Sequence, residues 1–245
     1  MSSAEKAVKI LKKLGQAPYE FGVTEISESI DCVKSGTHKL LAVLVAEGMV
    51  EQKPNKKYRL GLGTYLLGKT YEENIGIWRF FRPYLEKLRN ITRENASFGA
   101  WQDGEATILY KVESPELIRV FGAVGTKRPV NASAISKTLA AFADPQAIRE
   151  KIAKEPLKKY TERTITAPEA LFREYESIRE CGYAISDGEF SDDAVGIGAP
   201  VRDKSGQVWA AISVGGPKFR MTPEKQEEYA KLVVEMANLI SKELE

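Results

Sequence analysis

Apolar and polar positions along the chain follow a helical rhythm near the N-terminus and a mixed one after residue 95. Ala7, Val8, Leu11 and Leu14 recur at helical spacing with Lys6, Lys9, Lys12 and Lys13 opposite, which predicts a helix over Ala4 to Leu14. A short second helix is signalled by Thr24 as N-cap, by Glu25 and Glu28 where the dipole favours negative charge, and by Ile26 and Ile30 on one face. Asp31 and Cys32 interrupt it. Val33, Thr37, Leu40, Leu41 and Leu44 then form the buried stripe of a longer helix, Val33 to Glu47, whose outer face carries Lys34, Ser35, His38 and Ala42 with Lys39 alongside. Gly48 ends that helix. Met49 to Gln52 and Tyr58 to Leu60 read as two strands around the turn KPNKK.

Helix, tight turn, helix and basic hairpin in that order predict a winged helix-turn-helix that binds double-stranded DNA. The start of its second helix enters the major groove and the hairpin lies along phosphates. Ser35, Thr37, His38 and Lys39 are the expected groove contacts, and Lys34, Lys53, Lys56 and Lys57 the expected phosphate contacts. The solvated alternative for each part is an ordinary amphipathic helix and an ordinary lysine-rich turn.

The stretch from Gly61 to Arg93 is helical in pattern and crowded with Tyr65, Tyr71, Trp78, Phe80 and Phe81, more aromatic surface than a small head buries. It reads as a connector carrying contacts for a homodimer or homotetramer, with Pro83 opening a helix over Tyr84 to Thr92. Beyond it, strands are expected at Ala96 to Gln102, Ala106 to Val112 (joined to the first by Asp103-Gly104) and Leu117 to Phe121. Helices follow at Ser133 to Ala143, Pro145 to Lys154 and Pro168 to Cys181, the last with Thr166 and Glu169 at capping-box spacing and Gly182 as its stop. Further strands at Tyr183 to Ser186, Ile197 to Arg202 and Val208 to Val214 precede a final helix from Pro223 to Leu244 behind Thr222. Strands first and last with helices between predict an α+β domain with a mostly antiparallel sheet. The expected domains are 1–62, a helical linker 63–82, and 83–245.

Composition changes this picture in two places. The 43% apolar content is ample for two cores, and the net charge of +2 does not by itself point to nucleic acid. Its distribution does: residues 1–70 hold eleven basic and seven acidic side chains, so a basic head precedes a slightly acidic body. No run of apolar residues is long enough to span a membrane and the first segment is charged, so no membrane partner and a cytoplasmic location are expected. Cys32 and Cys181 read as reduced small apolar residues.

The run VKSGTHKLLAVLVAEGMVEQ…KYRLGLGTYLLG resembles the winged domain of IclR-type transcription regulators. Lys34, Ser35, Lys39, Leu40, Leu41, Gly48, Tyr58, Leu60 and Gly61 fall on that family's pattern. Gly36 stands where the family usually has Thr, a loss of about 1 kcal/mol of helix stability unless the backbone must approach something closely. Lys39 replaces the usual Arg and cannot make the same bidentate contact. RPVNASAISKTLAAF and GYAISDGEFSDDAVGIGAPVRDKSGQVWAAISVGGPKFRMT are similar to the family's two C-terminal blocks. The resemblance implies a GAF-like effector-binding domain, a regulator that is a dimer or tetramer, and a small-molecule effector.

The loop GAVGTKRPVNAS offers glycines that allow backbone approach and a helix start, at Ser133, whose free N–H groups suit an anion. By resemblance the effector lies between this helix start and the strands after Gly182, which assigns Ala134, Ile135, Asp187, Gly196, Ser213 and Gly215 to the site. Asn131, where the family commonly has His, joins them; Ser136 replaces a family Gly, and Gly196 a Cys found in many members. A small organic acid or aromatic metabolite is the expected ligand. Catalysis is disfavoured because the single histidine, His38, lies in the DNA-reading helix, and the cysteines and histidine lack metal-ligand spacing, so neither catalytic residues, metal nor cofactor is expected. The reading is a ligand-responsive transcription regulator. An interaction adaptor with a winged fold that does not bind DNA, or an enzyme with a winged appendage, stands as the alternative.

Overall fold

The computed structural model of the chain describes residues 1–74, 77–102, 104–120 and 122–244, without the side chains of 77–79. It forms two compact units, Met1–Ile77 and Trp78–Glu245.

The first unit comprises α1 (Ser3–Leu14), α2 (Val23–Ser29), α3 (Lys34–Ala46), a hairpin of β1 (Val50–Gln52) and β2 (Tyr58–Leu60), and α4 (Leu62–Asn74). A capping box starts α1: Glu5 N donates to Ser2 Oγ at 3.2 Å, and Ser2 N donates to Glu5 Oε2. Its buried residues are Ile10 and Leu14. Val8, expected inside, is 51% exposed, because the inward stripe runs through Ile10 instead. α2 starts from Gly22 rather than Thr24, since Glu25 reaches back to the Gly22 N–H at 2.7 Å and Thr24 falls inside the first turn. Val33 is the extended N-cap of α3 and faces solvent.

Ile10, Leu14, Phe21, Ile26, Ile30, Leu41, Leu44, Val50 and Tyr58 close one core under the three helices and the hairpin. Burying nine such side chains is the main stabilisation of so small a unit, at about 1.5–3 kcal/mol each before conformational entropy is subtracted. The hairpin returns to the base of α3. Gly48 ends the helix with φ 68°, and its carbonyl accepts from Gly63 N at 2.9 Å while Met49 O accepts from Gly61 N at 2.8 Å. A methyl group added at Gly61 would overlap the Gly48 carbonyl, and one at Gly63 would stand 2.9 Å from it. Backbone therefore packs directly on backbone where α4 begins.

The second unit comprises α5 (Ile77–Thr92), β3 (Asn95–Gln102), β4 (Glu105–Val112), β5 (Lys127–Arg128), α6 (Ala134–Phe142), α7 (Pro145–Lys154), α8 (Pro168–Cys181), β6 (Ala184–Asp187), β7 (Ala194–Arg202), β8 (Val208–Pro217) and α9 (Pro223–Glu243). Its six strands form one sheet in the order β5-β4-β3-β8-β7-β6, every neighbouring pair antiparallel. The architecture is α+β. α6, backed by α8, lies on one face. On the other, Phe81 of α5 stacks against Phe98 of β3 at 3.8 Å between ring centroids, and α9 carries buried Tyr229, Val233, Met236 and Ile240.

Three expectations change here. Pro83 lies inside α5 rather than opening it, and the hydrogen bond it forfeits is offset by burial of Phe81, Leu85 and Leu88 on the same helix. Phe81 is therefore core, whereas Tyr65, Tyr71 and Phe80 are exposed; Trp78 lies outside the described side chains. Residues 117–120 make no strand, and Phe121 and Asp103 lie outside the described residues. Instead Asn95 accepts from Ser114 N at 2.8 Å and donates to Val120 O at 2.6 Å, so a side-chain amide takes the place of strand pairing there. The helix at Pro168 starts behind Ala167 without a side-chain cap; Pro at the first position, not a Thr166–Glu169 box, sets its beginning.

Candidate functional site

In the first unit, α3 divides cleanly. Leu41 and Leu44 are buried beneath it, while Lys34, Ser35, His38 and Lys39 project together from its exposed side. Thr37, expected in the groove, is 0% exposed, with Thr37 Oγ1 3.1 Å from Ser27 Oγ and 3.2 Å from Val33 O. It cannot touch a base. Gly36 faces the inter-helix turn: a Cβ there would meet Cys32 Sγ at 3.0 Å, so its small size serves packing of the turn. On the hairpin, Lys56 and Lys57 are exposed with no ion pair among the described residues; Asn55 Oδ1 accepts from Lys57 N at 3.0 Å and shapes the tip. Lys53 is drawn 3.8 Å from Glu51, which also pairs with Arg59. The exposed side of α3 thus presents four polar or basic residues, and the wing tip presents two lysines with no ion pair among the described residues.

In the second unit, a cavity of about 550 Å³ opens between the start of α6 and the sheet. Ser133, Ala134, Ile135, Gly196, Ser213 and Gly215 all line it. The helix start can sit this low because the strand beneath carries glycines: a Cβ at Gly198 would meet the Ala134 backbone at 3.1 Å, and one at Gly196 would meet Ala134 Cβ at 3.4 Å. Ser133 is the N-cap but makes no side-chain capping bond. The N–H groups of Ala134, Ile135 and Ser136 therefore have no capping acceptor from it, leaving the positive end of the helix dipole at the cavity.

Two expected residues are elsewhere. Asn131 is 2% exposed and spends its amide on Lys158 O at 3.0 Å and Ile165 O at 2.7 Å, holding the loop before α8. Asp187 points away because side chains alternate along β6: its neighbour Ser186 lines the cavity, and Asp187 pairs with Arg163 at 2.7 Å and Lys218 at 2.8 Å. Residues that the sequence reading missed include Ser186, Asn95, Ser97, Phe190 and Arg128. The strand period around Asp187 was the available signal for Ser186.

Below the cavity, Lys137 is 0% exposed and binds Glu174 Oε1 at 2.8 Å, Glu189 Oε1 at 2.8 Å and Ile185 O at 2.6 Å. Burial, opposed by the Lys137 charge, leaves the Glu189 carboxyl above its ordinary pKa of 4.5. Thr161 and Thr164 hold the same segment through Gly188 O at 2.6 Å and Glu189 O at 2.7 Å. These bonds fix the turn that brings Phe190, Ser191 and Asp193 to the cavity wall.

Among the described residues no group of three His, Cys, Asp or Glu side chains could hold a metal ion, and no helix is long and apolar enough to cross a membrane.

A family model described as the IclR helix-turn-helix domain matches residues 3–54, and one described as the bacterial transcriptional regulator IclR C-terminal domain matches residues 69–242. The HTH-type transcriptional regulator KdgR of Escherichia coli (strain K12) is 30% identical over 245 residues, 100% of this chain and 93% of the relative. Among solved structures, an IclR transcriptional regulator from Alicyclobacillus acidocaldarius superposes with a TM-score of 0.87 at 26% identity, covering 98% of this chain and 97% of that one. An IclR homolog from Microbacterium hydrocarbonoxydans, complexed with 4-hydroxybenzoate, gives 0.84 at 25% identity over 99% of each chain.

Proposed function

The chain belongs to the IclR family of helix-turn-helix transcription regulators, which bind DNA under the control of a small-molecule effector, and we propose how this member divides that work among its residues. Ser35, His38 and Lys39 read base edges in the major groove; Lys34, Lys56 and Lys57 meet phosphates, with Lys53 a weaker contributor because Glu51 shares its charge. The single observation that supports this best is the facing of α3, on which these side chains share the exposed side while Thr37, Leu41 and Leu44 are buried.

The effector is a small organic acid, aromatic or aliphatic, whose carboxylate lies against the uncapped start of α6. The aromatic acid held by the Microbacterium relative has chemistry that suits this cavity. The working form is a homo-oligomer, dimer or tetramer, joined in part through α4, where Leu62, Tyr65, Leu66 and Leu67 are exposed. Residues 63–82 serve as the linker between a DNA-binding domain and a sensing domain. Its role is regulatory rather than catalytic, and its DNA target places it in the cytoplasm.

Fluorescence anisotropy with a labelled duplex from the region upstream of its own gene tests the reading. Saturable binding that is sensitive to salt and altered by a carboxylic acid is expected; indifference to duplex DNA at low ionic strength would overturn it.

A further inference from the structure

Arg128, on the two-residue strand β5, lines the effector cavity. Two other basic side chains there, Lys111 and Arg119, are already engaged by Glu113, at 2.8 and 3.5 Å. The guanidinium of Arg128 has no ion pair or hydrogen bond among the described residues. It lies 5.2 Å from the Phe190 ring centroid and against Gly122, where a Cβ would come 2.8 Å from Arg128 Nη2. Burial lowers its pKa from the ordinary guanidinium value, yet a guanidinium stays charged. An unpaired cation in a half-buried wall is costly to leave without a counter-ion.

The second anchor is close by. Ser136, in the first turn of α6, donates its hydroxyl to Arg128 O at 3.0 Å, so this strand is tied to the helix start whose N–H groups face the same cavity. Among the described residues lining the cavity the one carboxylate is Asp193, which is exposed and makes no ion pair with Arg128.

We propose that Arg128 is the specificity-determining residue for an effector with two acidic groups, a dicarboxylate, one carboxylate taken by the first turn of α6 and the other by the Arg128 guanidinium. The inference rests on the assignment of this cavity to an acid effector and adds the second charge. A guanidinium offers a fork of N–H donors matched to a carboxylate, and the Phe190 ring lies beside it on the same cavity wall.

Calorimetric titration of the full chain with matched pairs tests it: butanoate against succinate, gluconate against glucarate, and benzoate against terephthalate. At least one diacid should bind about tenfold more tightly than its monoacid partner. Arg128→Met should weaken that diacid to the level of its partner, and Arg128→Lys should keep part of the difference. Without ligand, neither variant should melt below the parent, and Arg128→Met, which removes the uncompensated charge, should melt at or above it. Equal affinities within every pair, or a preference that survives Arg128→Met, would overturn the two-anchor assignment alone. Binding of none of these acids would remove the acid-effector reading beneath it.

Discussion

Ser27 Oγ lies 3.1 Å from Thr37 Oγ1 between α2 and α3, and both side chains are buried. Each hydroxyl also has a backbone carbonyl in reach, Val23 O at 2.7 Å for Ser27 and Val33 O at 3.2 Å for Thr37. The pair fixes how the two helices of the head meet and occupies a threonine that the outer-face pattern offered to DNA. Thr37→Ala should therefore cost the head about 1–2 kcal/mol, read by urea unfolding, and leave the order of preference among operator variants unchanged. A changed base preference with unchanged stability would return Thr37 to the groove.

His38→Ala should alter which base pairs are preferred, whereas Lys56→Gln and Lys57→Gln should weaken binding to all duplexes alike. Each lysine change should reduce the slope of log K against log salt by about 1, and Lys53→Gln by less, because Glu51 already holds that charge. Anisotropy over a salt series with a set of operator variants measures both. Identical behaviour of the histidine and lysine variants would dissolve the division of roles.

Glu94 is buried and takes two bonds from Arg220, at 2.6 and 2.8 Å, joining the start of β3 to the segment before α9. Arg220→Met would strand a carboxylate in the interior. A loss of about 3 kcal/mol is expected by chemical unfolding of the second unit's transition. A loss below about 1 kcal/mol would mean that Glu94 finds water or another partner.

Glu189 gives a pH test. Its folded pKa is raised, so the native state takes up a proton before the unfolded chain does, and its contribution to stability grows as pH falls from neutrality through that raised value toward 4.5. Glu189→Gln lacks this increment. The stability of the Gln variant relative to the parent should decline on acidification over that window; a difference flat in pH would place the Glu189 proton affinity at its ordinary value.

Leu66→Glu puts a charge on the exposed apolar side of α4. Sedimentation of the parent should show an oligomer and of the variant a smaller species, with its circular dichroism unchanged. A parent that sediments as a monomer would rule out this use of α4.

Much of the architecture was legible because its signals are local. The stripe Leu41–Leu44 gave the inward side of α3, and the glycine at 182, which takes φ 83°, gave the end of α8. Proline at the first turn likewise marked α7, α8 and α9. What stayed hidden depends on distant partners. Pattern alone put Thr37 on both faces of its helix, and only the Ser27 hydroxyl decides between them. One step along β6 exchanges Asp187 for Ser186, since strand side chains alternate and resemblance does not fix the register. The turn over 117–120 looked like a strand because nothing near it in sequence announces that Asn95, more than twenty residues earlier, will take its backbone groups.

The glycine corner at Gly48, Gly61 and Gly63 has a mechanical consequence. α4 begins with its backbone pressed on the carbonyl that terminates the reading helix, so no compliant side chain cushions the joint. A torque applied along α4 would reach the recognition surface undamped, and any residue larger than glycine at position 61 would prise the lever from its fulcrum.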